Sequence, residues 1–297
     1  MYAPSLLVNC LVALFITANV GMLVELFHKD AAAQQLDQAL DQQVRREMLS
    51  LGWLPPRSPT LFARANQLRV SHGVELMHAE RDFELSLDNG TLRGTPARQL
   101  ELDAATVVIA DELSLLPDGF LHRSALRRVL LCGNLSEARR PVPSLPNYRN
   151  TLLIDVHAPR EYLRRLLHHE VFHFSDLADD GDVIRDDAWE ALNAPTASYG
   201  HGGRALREPN GSLLLDGSAG SEQLPGFVSL YATAAVEEDK AEVFAFMLTA
   251  PDAIASMAAR DPVIARKVQR MKAMVQALSE DMDDRYWLRL QRTRTHQ

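Results

Sequence analysis

Two histidines four residues apart, His169 and His173, with a glutamate directly after the first, constrain this chain more than any other feature. Four residues is about one helical turn, so on an α-helix the two imidazoles stand one above the other on the same face. The flanking residues ask for that helix independently. Tyr162, Leu163, Leu166, Leu167, Val171 and Phe174 recur at helical spacing, and Pro159 suits a first turn. The acidic, glycine-containing stretch 176–187 is expected to end the helix near Ser175. Two imidazoles so placed have the bite for one zinc ion. Glu170 points close to the same face, where it can take a proton from a zinc-bound water and pass it to a leaving amine.

A zinc with catalytic work to do keeps three protein ligands and one open position. Three places could supply the third. Asp179 lies at the distance some short-spaced patterns use, but those need a glycine where Asp176 stands. Tyr199-Gly200 suits a pattern with an aspartate three residues earlier, where this chain has Thr196. The remaining candidate is Glu237-Glu238-Asp239-Lys240-Ala241-Glu242, on a second helix expected over about 233–248 and stopped by Pro251. Glu238 and Glu242 are one turn apart and can both face the first helix. Glu238 can ligate the metal, and Glu242 can accept the second N–H of His169 and so fix its tautomer.

Other polar residues carry blander readings. His168 points about 100° away from His169 on a helix and reads as a core or surface histidine. His201, in a glycine-rich loop between the two helices, could reach the site as an oxyanion or substrate contact. Trp189 and Asn193 read as organisers of that loop. The aspartates between 176 and 187 have oxygen chemistry suited to calcium, but no regular calcium-loop spacing, and read as a solvated acidic loop.

The chain ahead of the motif divides by composition. Residues 6–24 are almost wholly apolar, broken by Asn9, Thr17, Asn19 and Gly21, which matches the ~20 residues a helix needs to cross hydrocarbon. No Lys or Arg precedes the run, so an uncleaved anchor over 1–28 is expected rather than a cleaved signal. Lys29, Arg45 and Arg46 after it would hold the C-terminal side in the cytoplasm. Residues 29–58 read as a helical stalk, rich in Ala, Gln and Leu until Pro55, Pro56 and Pro59. The rest, 59–297, reads as the catalytic domain, with its core at about 150–250.

Within it, Phe83 to Leu87 alternates apolar and polar and meets a turn at Asp88-Asn89-Gly90, which predicts a hairpin. The runs 106–110, 129–132 and 151–156 have strand length. The proline-bearing stretch 140–150 is expected as loop, and 252–290 as one or two amphipathic helices. Strand 151–156 could lend its edge to an extended substrate. A net charge of -8 without a basic stripe argues against nucleic acid. The two cysteines, Cys10 and Cys132, make neither a disulfide framework nor a zinc knuckle.

His168-His169-Glu170-Val171-Phe172-His173, Trp189-Glu190-Ala191-Leu192-Asn193, and Gly226 to Ala232 leading into Glu238-Asp239-Lys240-Ala241-Glu242 resemble the bacterial zinc-binding metallopeptidase family. That family is similar to the lethal-factor-like zinc peptidases with a glutamate as third ligand. The resemblance covers about a third of the chain. It implies a zincin-like α+β domain, with a small mixed sheet packed on the histidine-bearing helix and a second Glu-bearing helix. It also implies an extracytoplasmic catalytic domain, against the lysine and arginine count. Tyr231, seven residues before Glu238, occupies the place of a tyrosine that stabilises the oxyanion. The expected activity is peptide hydrolysis with one Zn2+ held by His169, His173 and Glu238, and Glu170 as base. The partners expected are a peptide or protein substrate and, through the N-terminal helix, a membrane. The alternatives are a catalytically inactive, membrane-anchored binding protein of the same fold, and a tethered helical interaction protein without metal.

Overall fold

The computed structural model describes residues 38–87, 90–179, 185–200 and 224–295. The chain forms two units, 1–51 and 52–297. In the first, helix α1 spans 38–50, built from good helix formers without Pro or Gly. The expected anchor at 1–28 lies outside the described residues. Among the described residues no helix is long and apolar enough to cross a membrane.

The second unit is built around strand β5 (Arg128–Glu137). Its first half pairs in parallel with β2 (Glu75–Ala79) on one side and with β8 (Thr151–Asp155) on the other. Val129, Leu130, Leu131 and Cys132 face Leu152, Leu153 and Ile154 across the second ladder, all fully buried. A continuous apolar run is what a parallel strand covered on both faces requires. The second half of β5 pairs antiparallel with β4 (Gly90–Thr95) and with the short β6 (Arg140–Pro141). Strand β3 (Phe83–Leu87) closes the expected hairpin on β4, and β1 (Trp53–Leu54) pairs with β2. Gly94 lets the hairpin close over the sheet, because a Cβ there would stand 2.4 Å from the Phe83 ring.

Strand β7 (Ser144–Tyr148) pairs antiparallel with β8 alone. This corrects two expectations. The stretch 140–150 is not a loop throughout: Pro141 falls in the two-residue β6 and Pro146 in the edge strand β7, where a missing N–H is tolerated, and Pro143 in the bend between them. And β8 offers no free edge, since β5 and β7 fill both of its sides. Among the described residues the mixed sheet has eight strands, more than the small one expected.

Residues 106–110, expected as a strand, lie inside helix α3 (Gln99–Leu113). Leu102, Thr106, Ile109 and Leu113 are buried at helical spacing, so packing of one face overrides the β-branched bias of Thr-Val-Val-Ile. Helix α2 (Pro59–His72) packs on α3, and α4 (Asp118–Arg123) is a short turn of helix before β5. Helix α5 (Arg160–Asp179) follows β8 and runs one turn past the expected end, and α6 (Asp187–Glu190) is a single turn. Helix α7 spans Val236–Thr249. The C-terminus holds three helices rather than one or two: α8 (Pro251–Arg260), α9 (Pro262–Leu278) and α10 (Asp284–Thr295). Pro251 and Pro262 stand in the first turns, and Asp261 caps α9 by accepting from the Val263 N–H at 2.8 Å.

Candidate metal centre

Helix α7 is buried almost all round, which is how a helix through the middle of a core behaves. It packs along α5, with Phe172 against Phe244 at a ring separation of 5.2 Å. That seam brings His169 and His173 of α5 against Glu238 and Glu242 of α7. His169 Nε2 lies 3.0 Å from Glu238 Oε2 and 3.1 Å from His173 Nε2. The third side, His173 Nε2 to Glu238 Oε2, is 3.4 Å. Ligand atoms about 2.0–2.2 Å from a tetrahedral zinc stand about 3.3–3.6 Å apart, so the triangle is at or just under that size. Among the described residues, this is the group whose donor atoms could hold a metal ion.

Proton placement supports the same use. Glu242 Oε1 lies 3.1 Å from His169 Nδ1, and Glu242 Oε2 accepts from the Ser229 hydroxyl at 2.6 Å. Ser229 is itself held by the Ala232 N–H at 3.1 Å. With its proton on Nδ1, His169 presents a lone pair at Nε2, facing a carboxylate oxygen and a second imidazole nitrogen. At these distances the three atoms cannot all present bare lone pairs to one another, so a proton or a metal ion must stand among them. Without a metal, a proton on His169 takes that place. Burial pulls the His169 pKa down, but its hydrogen bonds to the Glu238 and Glu242 carboxylates outweigh it and push it up to about 10. Burial likewise acts to raise Glu238, and the two imidazoles hold it well below the usual carboxylate range.

Glu170 is buried, with one carboxylate oxygen tied to the sheet. The Ser144 hydroxyl, at the start of β7, donates to Glu170 Oε1 at 2.5 Å. Glu170 Oε2 is buried and has no hydrogen-bond partner among the described residues. An unsatisfied buried polar oxygen costs about 1–3 kcal/mol, more when charged, which a water held by a neighbouring metal would relieve. The residues present therefore fit zinc. Tyr231, in a 3-10 turn at Tyr231–Thr233, donates to Glu238 Oε1 at 3.0 Å, with its ring 5.6 Å from that of His169.

The remaining residues named from sequence are dispersed. His201 lies outside the described residues. Asp179 is the last residue of α5, and Thr196 is exposed in the 191–200 loop. His168 is fully buried on the far side of α5, with Nε2 2.8 Å from Glu112 Oε2; Arg164 and Arg294 hold the same carboxylate. Two of the acidic residues considered for calcium bind a lysine instead: Lys240 Nζ lies 2.7 Å from Asp176 and 3.8 Å from Asp186. Trp189 Nε1 donates to Asp239 Oδ2 at 2.9 Å, and Asn193 donates to the Tyr199 hydroxyl at 2.9 Å. Tyr199 and Lys267 reach the same Asp239 oxygen, both at 2.6 Å. These contacts tie the 186–200 segment and α9 to the turn of α7 that carries Glu238.

Ser144, Ser229, Glu112 and Lys267 were not singled out from sequence. Each is an ordinary polar residue whose partner lies far along the chain or on another element. Only Ser229 falls within a stretch that carried the family resemblance.

No family model and no curated protein matches the chain. Among solved structures it is similar to a "putative zinc-binding metallo-peptidase" from Bacteroides caccae, at 15% identity and a TM-score of 0.49. The match covers 81% of this chain and 94% of that one. At that score the likeness carries no argument, and the site rests on its own geometry.

Proposed function

We propose that the chain is a zinc-dependent peptidase, with His169, His173 and Glu238 as metal ligands and Glu170 as general base. The observation that carries this reading is the triangle of Nε2, Nε2 and Oε2 atoms with edges of 3.0, 3.1 and 3.4 Å. Zinc, when bound, supplies a Lewis acid and lowers the pKa of a coordinated water toward ~7.

The protein's own groups do the rest. Glu242 holds His169 by Nδ1, so Nε2 stays a ligand. Glu170 takes the proton of the attacking water on Oε2, the oxygen without a partner, and returns it to the leaving nitrogen. Tyr231, now donating to Glu238 Oε1, can turn its hydroxyl to the oxygen on which charge develops as the carbonyl is attacked. The lethal-factor-like assignment rests on Tyr231 and Glu238 standing in that pattern. The extracytoplasmic placement and the membrane anchor over 1–28 belong to the same proposal, tested by protease accessibility of the chain in intact cells.

Glu170→Gln should bind one zinc per chain like wild type and lose about 100- to 10,000-fold in kcat on a peptide library. Activity equal to wild type would remove Glu170 from the mechanism. A wild type that binds zinc and cleaves nothing would favour the inactive binding protein.

A further inference from the structure

We propose that Ser144 is a positioning residue for Glu170: its hydroxyl commits one carboxylate oxygen and leaves the other as the oxygen that moves the proton. This rests on Glu170 being the base. The geometry is that of a fixed donor rather than a passing contact. The Ser144 backbone is held to β8, because the Asp155 N–H donates to the Pro143 carbonyl at 2.9 Å and Ser144 itself stands opposite Ile154 in the β7–β8 ladder. Its side chain is 2% exposed, so no solvent competes for the hydroxyl proton. At 2.5 Å the O–H···O contact has the length of a charge-assisted bond to a carboxylate.

The consequence is an asymmetric carboxylate. Glu170 is a long side chain with several rotamers, and nothing on α5 itself would choose among them. Ser144 ties Oε1 to the sheet, while Oε2 is buried with no hydrogen-bond partner among the described residues. A base whose transferring atom is fixed keeps the proton path short in both directions, out of the attacking water and back to the leaving amine. Misplacement of a reacting group by ~1 Å can cost about 100-fold. The sheet thus contributes to the site through a residue 26 positions before the base.

The test uses the full chain and a pair of variants of equal shape. Ser144→Thr keeps the hydroxyl, whereas Ser144→Val replaces it with a methyl group. The expected result is that both fold and bind one zinc per chain. Ser144→Val should lose about 10- to 100-fold in kcat with KM within 2-fold of wild type, and Ser144→Thr should recover most of the loss. Crystal structures of the zinc-loaded proteins give a readout that needs no activity: Glu170 should keep its rotamer in wild type and Ser144→Thr, and swing or split in Ser144→Val. An unmoved Glu170 in Ser144→Val, or equal kcat in the two variants, overturns the proposal. If wild type cleaves no peptide, the peptidase reading fails on its own and the rotamer comparison still decides the role of Ser144.

Discussion

The His169 ring is gripped at both nitrogens, and its chemistry follows from which of the two carries a proton. Glu242 fixes Nδ1–H, and Ser229 fixes Glu242. Removing such an orienting carboxylate costs roughly 10- to 100-fold in metal affinity. Glu242→Ala should therefore weaken zinc binding by that factor in a chelator competition, and Ser229→Ala should weaken it less. Wild-type affinity in Glu242→Ala would show that the contact orients nothing. The proton on metal-free His169 makes a second prediction. Its folded pKa of about 10 lies above the ordinary 6.5. The stability it lends the metal-free protein is therefore complete below pH 6.5 and is lost as pH rises through 10. Zinc displaces that proton, so zinc affinity should climb with pH across the same interval. A pH-independent zinc Kd would contradict the shared position of proton and metal.

At the scale of elements, the site depends on α5 and α7 meeting in register, and a buried ion pair to α9 holds the turn of α7 that carries Glu238. Asp239 and Lys267 are both fully buried, and Asp239 also receives Trp189 and Tyr199. Breaking a buried pair by removing one partner costs about 3–5 kcal/mol, because the other charge is left unpaired. Lys267→Met should lose that much in urea unfolding, and a loss under 1 kcal/mol would show that the pair bears little. Helix α5 was legible because its apolar spacing, its opening proline and its histidine spacing agree. The Glu238–Glu242 pair was legible through the same one-turn logic. Residues 106–110 misled, since β-branched residues bias toward strand and only the packing of Leu102 and Leu113 reverses that. Strand β7 was hidden by its proline, which an edge strand accepts. Ser144 was hidden with it, because a serine that meets its partner through a sheet edge has no local pattern to betray it.

For the molecule as a whole, the sequence marks the helical half of residues 52–297 better than the sheet half. Helical periodicity is local, whereas the parallel pairing joins β2 to β5 across two helices and β5 to β8 across two intervening strands. Buried histidines in that sheet half also predict the acid behaviour of the fold. His78 on β2 is 2% exposed and close to Thr106, and burial lowers its pKa to about 4; burial also lowers His72. For His78, stability is complete above its unfolded value of 6.5 and is lost as pH falls through 4. Denaturant midpoints should drop across that window, and His78→Gln should flatten the slope. An unchanged slope in His78→Gln would place the acid sensitivity elsewhere.

The central claim is that two helices close on one cation. The most direct measurement is anomalous diffraction at the zinc edge from crystals of the purified protein. A single strong peak is predicted about 2.0–2.2 Å from His169 Nε2, His173 Nε2 and one Glu238 oxygen, with Glu242 still on His169 Nδ1. Zinc-soaked crystals with no peak there, or with Glu238 turned away from both imidazoles, would contradict it.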